Sequence, residues 1–322
     1  MRIGTLGAAR ITPKALLEPA AGIPGVEVVA VASRDRARAA AFAAAHGIPK
    51  VYDTYSALLA DETIDAVYNP LANSEHAPWS ITALEAGKHV LCEKPMGLNA
   101  EEVRTMVAAA ERSGRILMEA LHWRYHPVAA RVLELTARLG ELRHAEAVFF
   151  DRMEDQSDIR YQLALGGGST MDLGCYCIHA LRTVLGSEPI EVISARAVEG
   201  PPGVDVSMAA ELSFPGGIEG RMRCGFDGPP EPVWTIVLEG AAGRLRMENF
   251  VLPQLGNRLT AELASGESID EELSLRPSYA YQLEAFAHAA ATGEPPLTAG
   301  ADAIANAVAI DAVYRAAGLP LR

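Results

Sequence analysis

Cysteine and positive charge are scarce in this chain of 322 residues, and long hydrophobic runs are missing. The four cysteines, Cys92, Cys175, Cys177 and Cys224, show no disulfide framework and no paired CxxC spacing for a metal. Cys175 and Cys177 sit two apart, so on a helix they point in different directions. All four are expected as reduced, small core residues, and no metal site is expected. Lysine and arginine number 28 against 41 acidic residues, a net charge of −13. That balance argues against nucleic acid, whose phosphates reward basic surfaces, and disfavours anionic membranes. Without a run of about twenty apolar residues, no membrane-spanning helix is expected. The opening MRIGTLG lacks the basic and long apolar blocks of a signal peptide and reads as a first strand, so a cytoplasmic protein is expected.

What is present is an ordinary globular composition, 49% apolar and 21% charged, able to bury large cores. At this length two domains are expected, over residues 1–121 and 122–322. In the first, strand and helix alternate. Ile3–Leu6 is a short apolar strand, followed by a glycine-containing turn and a helix with Pro13 near its first turn. Val26–Ser33 is nearly all apolar and β-branched, as a strand covered on both faces requires. The Ala-rich Arg36–His46 reads as a helix stopped at Gly47. Strands at Ala66–Leu71, His89–Glu93 and Arg115–Leu121 enclose helices at about His76–Ala86 and from the Asn99/Glu102 capping signature to Arg112. Repeated β-α units imply a doubly wound parallel sheet. Beyond residue 122 the pattern changes: helices at about Val128–Arg138 and after Gly166-Gly167-Gly168, a strand at Glu141–Phe150, then long alternating stretches from Ile190 to Glu248. This is an α+β domain with a large, mostly antiparallel, open-faced sheet, closed by helices at Tyr279–Thr292 and Ala299–Ala317.

The turn after the first strand reads Gly4-Thr-Leu-Gly7-Ala-Ala9-Arg10-Ile11-Thr12. Against GxGxxG only Gly7 is kept, with Ala9 and Thr12 in the other glycine places, so the turn alone is weak evidence for a pyrophosphate at a helix N-terminus. The end of the second strand is more telling. An NAD site usually places Asp or Glu there for the ribose 2′-hydroxyl. Here stand Ser33 and Arg34, with Arg36 and Arg38 behind, a hydroxyl and guanidinium set suited to a 2′-phosphate. Asp35 falls one residue late and reads as a helix cap. NADP(H) is therefore expected over NAD(H).

Glu93-Lys94-Pro95 follows a strand at the carboxyl edge of the sheet, where ligands bind. On a helix, Asp172, Tyr176 and His179 fall on one face behind the glycine run, either an active-site wall or a Ser169/Asp172 capping box with Tyr176 in the core. Taken in order, GTLGAARI, VASRD, NPLANSEH, AGKHVLCEKP, MEALHWRYHP, GGGSTMDLGCYCIHALR and the late YQLEAF resemble the glucose–fructose oxidoreductase / inositol dehydrogenase (Gfo/Idh/MocA) family. The resemblance is greatest to its dimeric dihydrodiol dehydrogenase and NADP-dependent D-xylose dehydrogenase branch. It implies an N-terminal Rossmann domain in which Gly7, Ala9, Arg10, Ile11, Ser33, Arg34, Arg38, Leu71, Asn73, His76, Glu93 and Lys94 border the cofactor, joined by Trp123 and Arg124 just beyond it. It implies Lys94, Asp172 and Tyr176 as catalytic residues and a cis peptide before Pro95. For His179 it implies no role, and that residue is expected either to pack in the core or to support the site from behind.

The reaction so implied moves a hydride between nicotinamide C4 and a carbon bearing a hydroxyl or carbonyl. Tyr176 is the candidate acid/base, its phenolate favoured by Lys94, while Asp172 orients the substrate or Lys94. Lys94 as the direct proton carrier is the open alternative. The second domain holds no basic cluster, so an uncharged polyol, sugar or dihydrodiol is the expected substrate. A homodimer or homotetramer is expected through an uncovered apolar sheet face. Two rival readings are a non-enzymatic NADP sensor and a glycosidase that oxidises its substrate transiently with a bound nucleotide.

Overall fold

The computed structural model describes residues 1–322 as two compact units. One comprises Met1–His122 with Tyr279–Ile304, the other Trp123–Ser278 with Ala305–Arg322. The first passage between them falls one residue past the sequence boundary. The membership of Tyr279–Ile304 in the first unit departs from the sequence reading, which left those residues in the second. The physical reason includes two hydrogen bonds to the Glu119 backbone: its N–H donates to the Thr298 carbonyl at 3.0 Å, and its carbonyl accepts from the Thr298 side-chain Oγ1 at 2.6 Å.

The first unit is built on strands β1 (Arg2–Leu6), β2 (Glu27–Ala32), β3 (Lys50–Tyr52), β4 (Ala66–Asn69), β5 (His89–Cys92) and β6 (Leu117–Glu119). All pairings are parallel, in the order β3-β2-β1-β4-β5-β6. Strand order reverses direction between β1 and β4, so their carboxyl ends flank the crevice where ligands of doubly wound sheets bind. Local chemistry explains the helix limits. Asp35 caps helix Arg36–His46 by accepting from Arg38 N–H, and Gly47 ends it at φ 68°. Asn99 accepts from the N–H groups of Glu101 and Glu102, and Glu102 reaches back to Leu98 N–H at 2.9 Å. The three-residue β3, half-buried beside β2, is absent from the sequence reading because it is too short to show a period.

The second unit carries β7 (Leu142–Phe150), β8 (Glu191–Glu199), β9 (Asp205–Phe214), β10 (Ile218–Gly225), β11 (Val233–Gly240), β12 (Gly243–Glu248), β13 (Arg258–Leu263) and β14 (Ser268–Glu271). They form one sheet in the order β14-β13-β12-β11-β7-β10-β9-β8, antiparallel except where β7 meets β10. One face, including Ala145, Ala147, Leu212, Met222, Ile236 and Leu245, is buried in the core. The other corrects the expected apolar dimer surface. It is laced with ion pairs, Arg223–Glu146 at 3.1 Å, Arg221–Glu211 at 3.5 Å, Arg244–Glu239 at 3.3 Å and Arg258–Asp270 at 2.6 Å. Such exposed pairs contribute little stability each but keep the face polar.

A buried carboxylate anchors this unit. Asp205, at the start of β9, and the Arg322 side chain are both wholly buried and lie 2.7 Å apart. Asp205 also accepts from Ser169 Oγ at 2.9 Å, from Thr170 N–H and Oγ1 at 2.7 Å each, and from Tyr314 OH at 2.8 Å. Arg322 stacks 4.1 Å over the Tyr314 ring and donates to the Gly167 carbonyl at 2.8 Å. Removing one member of a buried ion pair strands the other charge. Asp205→Ala should therefore lower unfolding free energy by about 3–5 kcal/mol, read from the urea midpoint at constant m-value.

Candidate active site

In the first unit the nucleotide candidates converge by topology. Gly7, at φ 91°, donates its N–H to the Ala32 carbonyl at 2.6 Å, tying the turn after β1 to the end of β2. A Cβ at Gly7 would stand 3.0 Å from Leu71 Cδ2, so Leu71 would have to give way, and the positive φ strains any other residue there. Ala9 and Ile11 are half-buried and Arg10 is exposed along the same turn. Thr12 Oγ1 is buried there without a protein partner. Ser33 is buried at the end of β2 and accepts from Asp35 N–H, while Arg34 is exposed beside it. Arg38 donates from Nη2 to the Ala8 carbonyl at 2.9 Å, which folds its guanidinium onto the turn. A left-handed glycine, an orphaned hydroxyl and two guanidinium groups around one turn fit a phosphorylated dinucleotide. No acidic side chain other than the capping Asp35 follows β2 before the helix begins.

The sequence missed Tyr55 and Tyr68. Burial holds the Tyr55 phenol above the ordinary value against the opposing pull of the Arg34 charge. It also meets Trp79 edge-on at 4.8 Å. Tyr68 donates to Glu93 at 2.6 Å, which gives Glu93 a bracing role at the end of β5. Lys94 and Asn73 are half-buried, and the Lys94–Pro95 peptide is cis.

His76 is fully buried, with Nδ1 2.8 Å from the Pro95 carbonyl and Nε2 3.0 Å from the Leu71 carbonyl. It thus joins the loop after β4 to the loop after β5. A neutral ring donates only one proton, yet burial outweighs the pull of both carbonyls and, helped by the Lys94 charge, lowers its pKa to about 4. The folded value lies below the free value of about 6.5, so the unfolded chain takes up the proton first as pH falls. Stability is complete above about pH 6.5 and declines toward about pH 4. Urea titrations across that window should show a shallower decline for His76→Gln than for the wild type.

In the second unit, the segment behind the glycine run opens as a wide π-helical turn, Thr170–Gly174, before helix Cys175–Leu185. Ser169 and Asp172 do not form the capping box: Ser169 turns to Asp205, and Asp172 meets Arg160 Nε at 2.7 Å. Arg160 Nη1 also donates to Asp158 at 3.1 Å, and the Asp172 charge raises the guanidinium pKa above its ordinary value. Asp151, partly desolvated and facing the Asp172 charge, has its carboxyl held above the ordinary range. Tyr176 is buried, its ring centroid 5.6 Å from that of Phe149. His179 Nδ1 accepts from Trp123 Nε1 at 3.1 Å, which leaves the His179 proton on Nε2. Trp123 itself is 0% exposed and packs edge-on against Phe250. Its indole is therefore core, while Arg124 beside it is half-buried. Arg160, Asp158 and Asp151 lay outside the sequence reading, since the stretch 151–165 has no periodicity to mark them. The four cysteines are free and buried, and no group of metal-ligating side chains occurs.

A parallel sheet with this turn, paired with an open antiparallel sheet carrying an acid–phenol segment, defines a two-unit nucleotide-dependent oxidoreductase. Residues 1–121 match the oxidoreductase family with an NAD-binding Rossmann fold, and residues 129–246 match the GFO/IDH/MocA C-terminal domain. The chain belongs to the GFO/IDH/MocA oxidoreductase family and is a dehydrogenase or reductase. It is 38% identical to D-xylose 1-dehydrogenase (NADP(+)) 2 of Haloferax volcanii over 321 residues, covering 98% of this chain and 97% of that one. A trans-1,2-dihydrobenzene-1,2-diol dehydrogenase of Sus scrofa is 40% identical over 200 residues, 62% of this chain and 59% of its own length. Among solved structures, a 3-ketoreductase from Actinomadura kijaniata in complex with NADP and TDP-benzene superposes with a TM-score of 0.90 at 30% identity, covering 98% and 97% of the two chains. No helix is long and apolar enough to cross a membrane.

Proposed function

We propose that the protein is an NADP(H)-dependent dehydrogenase/reductase that moves a hydride between nicotinamide C4 and the carbinol or carbonyl carbon of an uncharged sugar, polyol or dihydrodiol. The observation that carries the cofactor choice is the end of β2, where Ser33 and Arg34 occupy the place of an NAD-selective carboxylate and Arg38 closes onto Ala8. A 2′-phosphate is met there by hydroxyl and guanidinium donors, whereas a free ribose finds no carboxylate at that position. The names of the Haloferax xylose dehydrogenase and the Actinomadura reductase, both linked to NADP, support the same choice.

The uncharged substrate is supported by the surroundings of Asp172. Three carboxyl groups, Asp151, Asp158 and Asp172, face one guanidinium, Arg160. This acidic surplus disfavours sugar phosphates and carboxylates. When bound, the nicotinamide supplies the hydride acceptor or donor. Gly7 and the turn residues admit the pyrophosphate. Leu71 and Asn73 line the path of the dinucleotide, and the buried His76 ties their loop to the one after β5. Asp172 accepts from a substrate hydroxyl, and Tyr176 holds or returns the hydroxyl proton at its phenolic oxygen. Lys94 is the second proton-capable group, and pH–rate profiles of the Tyr176 and Lys94 variants separate the two. We assign the open sheet to self-association into a dimer or tetramer through polar contacts.

Screening NADP⁺ reduction with polyols, aldoses and dihydrodiols, together with NADPH and NADH titrations by fluorescence, tests this function; failure to bind either nucleotide refutes it. Tyr176→Phe should lose about 10²–10⁴-fold in kcat with NADPH affinity retained, and near-wild-type turnover would remove Tyr176 from the proton path. Arg34→Ala should weaken NADPH by about 10- to 100-fold while leaving NADH nearly unchanged, as expected for loss of one charge-assisted contact.

A further inference from the structure

We infer that Arg160 is a positioning residue of this active site: it holds the Asp172 carboxylate in place as a fixed hydrogen-bond acceptor for a substrate hydroxyl, a duty distinct from proton carriage. The inference rests on the function proposed above. It starts from two separate grips that residue 160 has on the glycine run. Its carbonyl accepts from Gly168 N–H at 2.9 Å, and its guanidinium Nε donates to Asp172 Oδ2 at 2.7 Å. Asp172 N–H in turn donates to the Gly168 carbonyl at 3.1 Å, so residues 160, 168 and 172 form a closed ring of contacts.

The ring is rigid on every side. A Cβ at Gly167 would lie 2.5 Å from the Arg160 carbonyl oxygen, so the loop packs directly against the arginine backbone. Asp158 accepts from both Arg160 N–H at 3.0 Å and Nη1 at 3.1 Å, fixing the arginine at both ends. Tyr161 is tied by its hydroxyl to the Met153 carbonyl at 2.7 Å. On the far side, Asp205 pins Ser169 and Thr170. The charged groups facing the pair are Asp158 from the loop before it and Asp151 from the end of β7, while the Cys175 thiol donates to the Asp172 carbonyl.

A carboxylate clamped by a guanidinium is poorly suited to cycle a proton, because each protonation would break a charge-assisted bond. It is well suited to receive a hydroxyl at one orientation, which is what selects and aligns a polyol. Lysine carries the charge but lacks the planar fork that spans Asp158 and Asp172 together.

The test compares Arg160→Leu and Arg160→Lys with the wild type in the full chain. Carbon-13 carboxyl NMR on aspartate-labelled protein follows Asp172, assigned by the resonance lost in Asp172→Asn. The Asp172 titration midpoint should rise by about one pH unit or more in Arg160→Leu and by less in Arg160→Lys. With the substrate found by screening, KM should rise at least about 10-fold in Arg160→Leu with NADPH affinity unchanged, and the acid limb of kcat/KM should move with the carboxyl titration. An unmoved Asp172 midpoint in folded Arg160→Leu overturns the inference, as does an unchanged KM. Should Arg160→Leu fail to fold, an Asp172 midpoint and KM both unchanged in Arg160→Lys overturn it equally. If the wild type turns over no substrate, the proposed activity falls, whereas the NMR titration still decides what Arg160 does to Asp172.

Discussion

Burying a carboxylate without partners costs several kcal/mol, and Asp205 is buried completely. The second unit is arranged so that this cost is met. Donors from two segments remote in sequence, Ser169 with Thr170 and Tyr314 with Arg322, converge on its two oxygens. Each contact also places something else. The bonds to Ser169 and Thr170 set where the wide turn begins, and hence where Asp172 and Tyr176 emerge. Gly168 tolerates nothing larger, since its φ is 134° and a Cβ would collide with Asp205 Oδ1. The glycine run is thus read best as a consequence of packing against a buried charge. Arg160 then closes the same loop from its other side, through its carbonyl and its guanidinium.

The first unit solves a different problem, holding three loops together at the edge of a parallel sheet. The β1 turn is tied to β2 by Gly7 and Arg38, and the loops after β4 and β5 are tied to each other by His76. Polar ties through backbone carbonyls keep these loops in register while leaving Arg34 exposed and Lys94 half-buried.

Most elements with a strong local signal were legible in the sequence. The apolar, β-branched run of β2, the Asp35 and Asn99 caps and the Gly47 stop each act within a few residues, so no tertiary information is needed to read them. The alternating strands between residues 190 and 248 were equally plain, whereas β13 and β14 beyond them were not read. Features that depend on distant partners were not. The apolar stripe inferred for the open sheet face became a lattice of Arg–Glu pairs, because outward positions on neighbouring strands carry opposite charges that only strand order brings together. Trp123 was placed against the cofactor, yet its indole lies in the core because His179 and Phe250 close around it.

The sequence by itself determined the alternation of strands and helices, where most helices start and stop, and which short segments carry ionisable groups. Those properties follow from propensity, periodicity and capping, which act over a turn or two of chain. Only the tertiary structure decided that Asp172 belongs to Arg160 and Ser169 to Asp205, that Tyr279–Ile304 joins the first unit, and that Glu93 is braced by Tyr68. A polar side chain removed from water must find a partner wherever the folded chain supplies one, and sequence distance places no limit on where that partner lies.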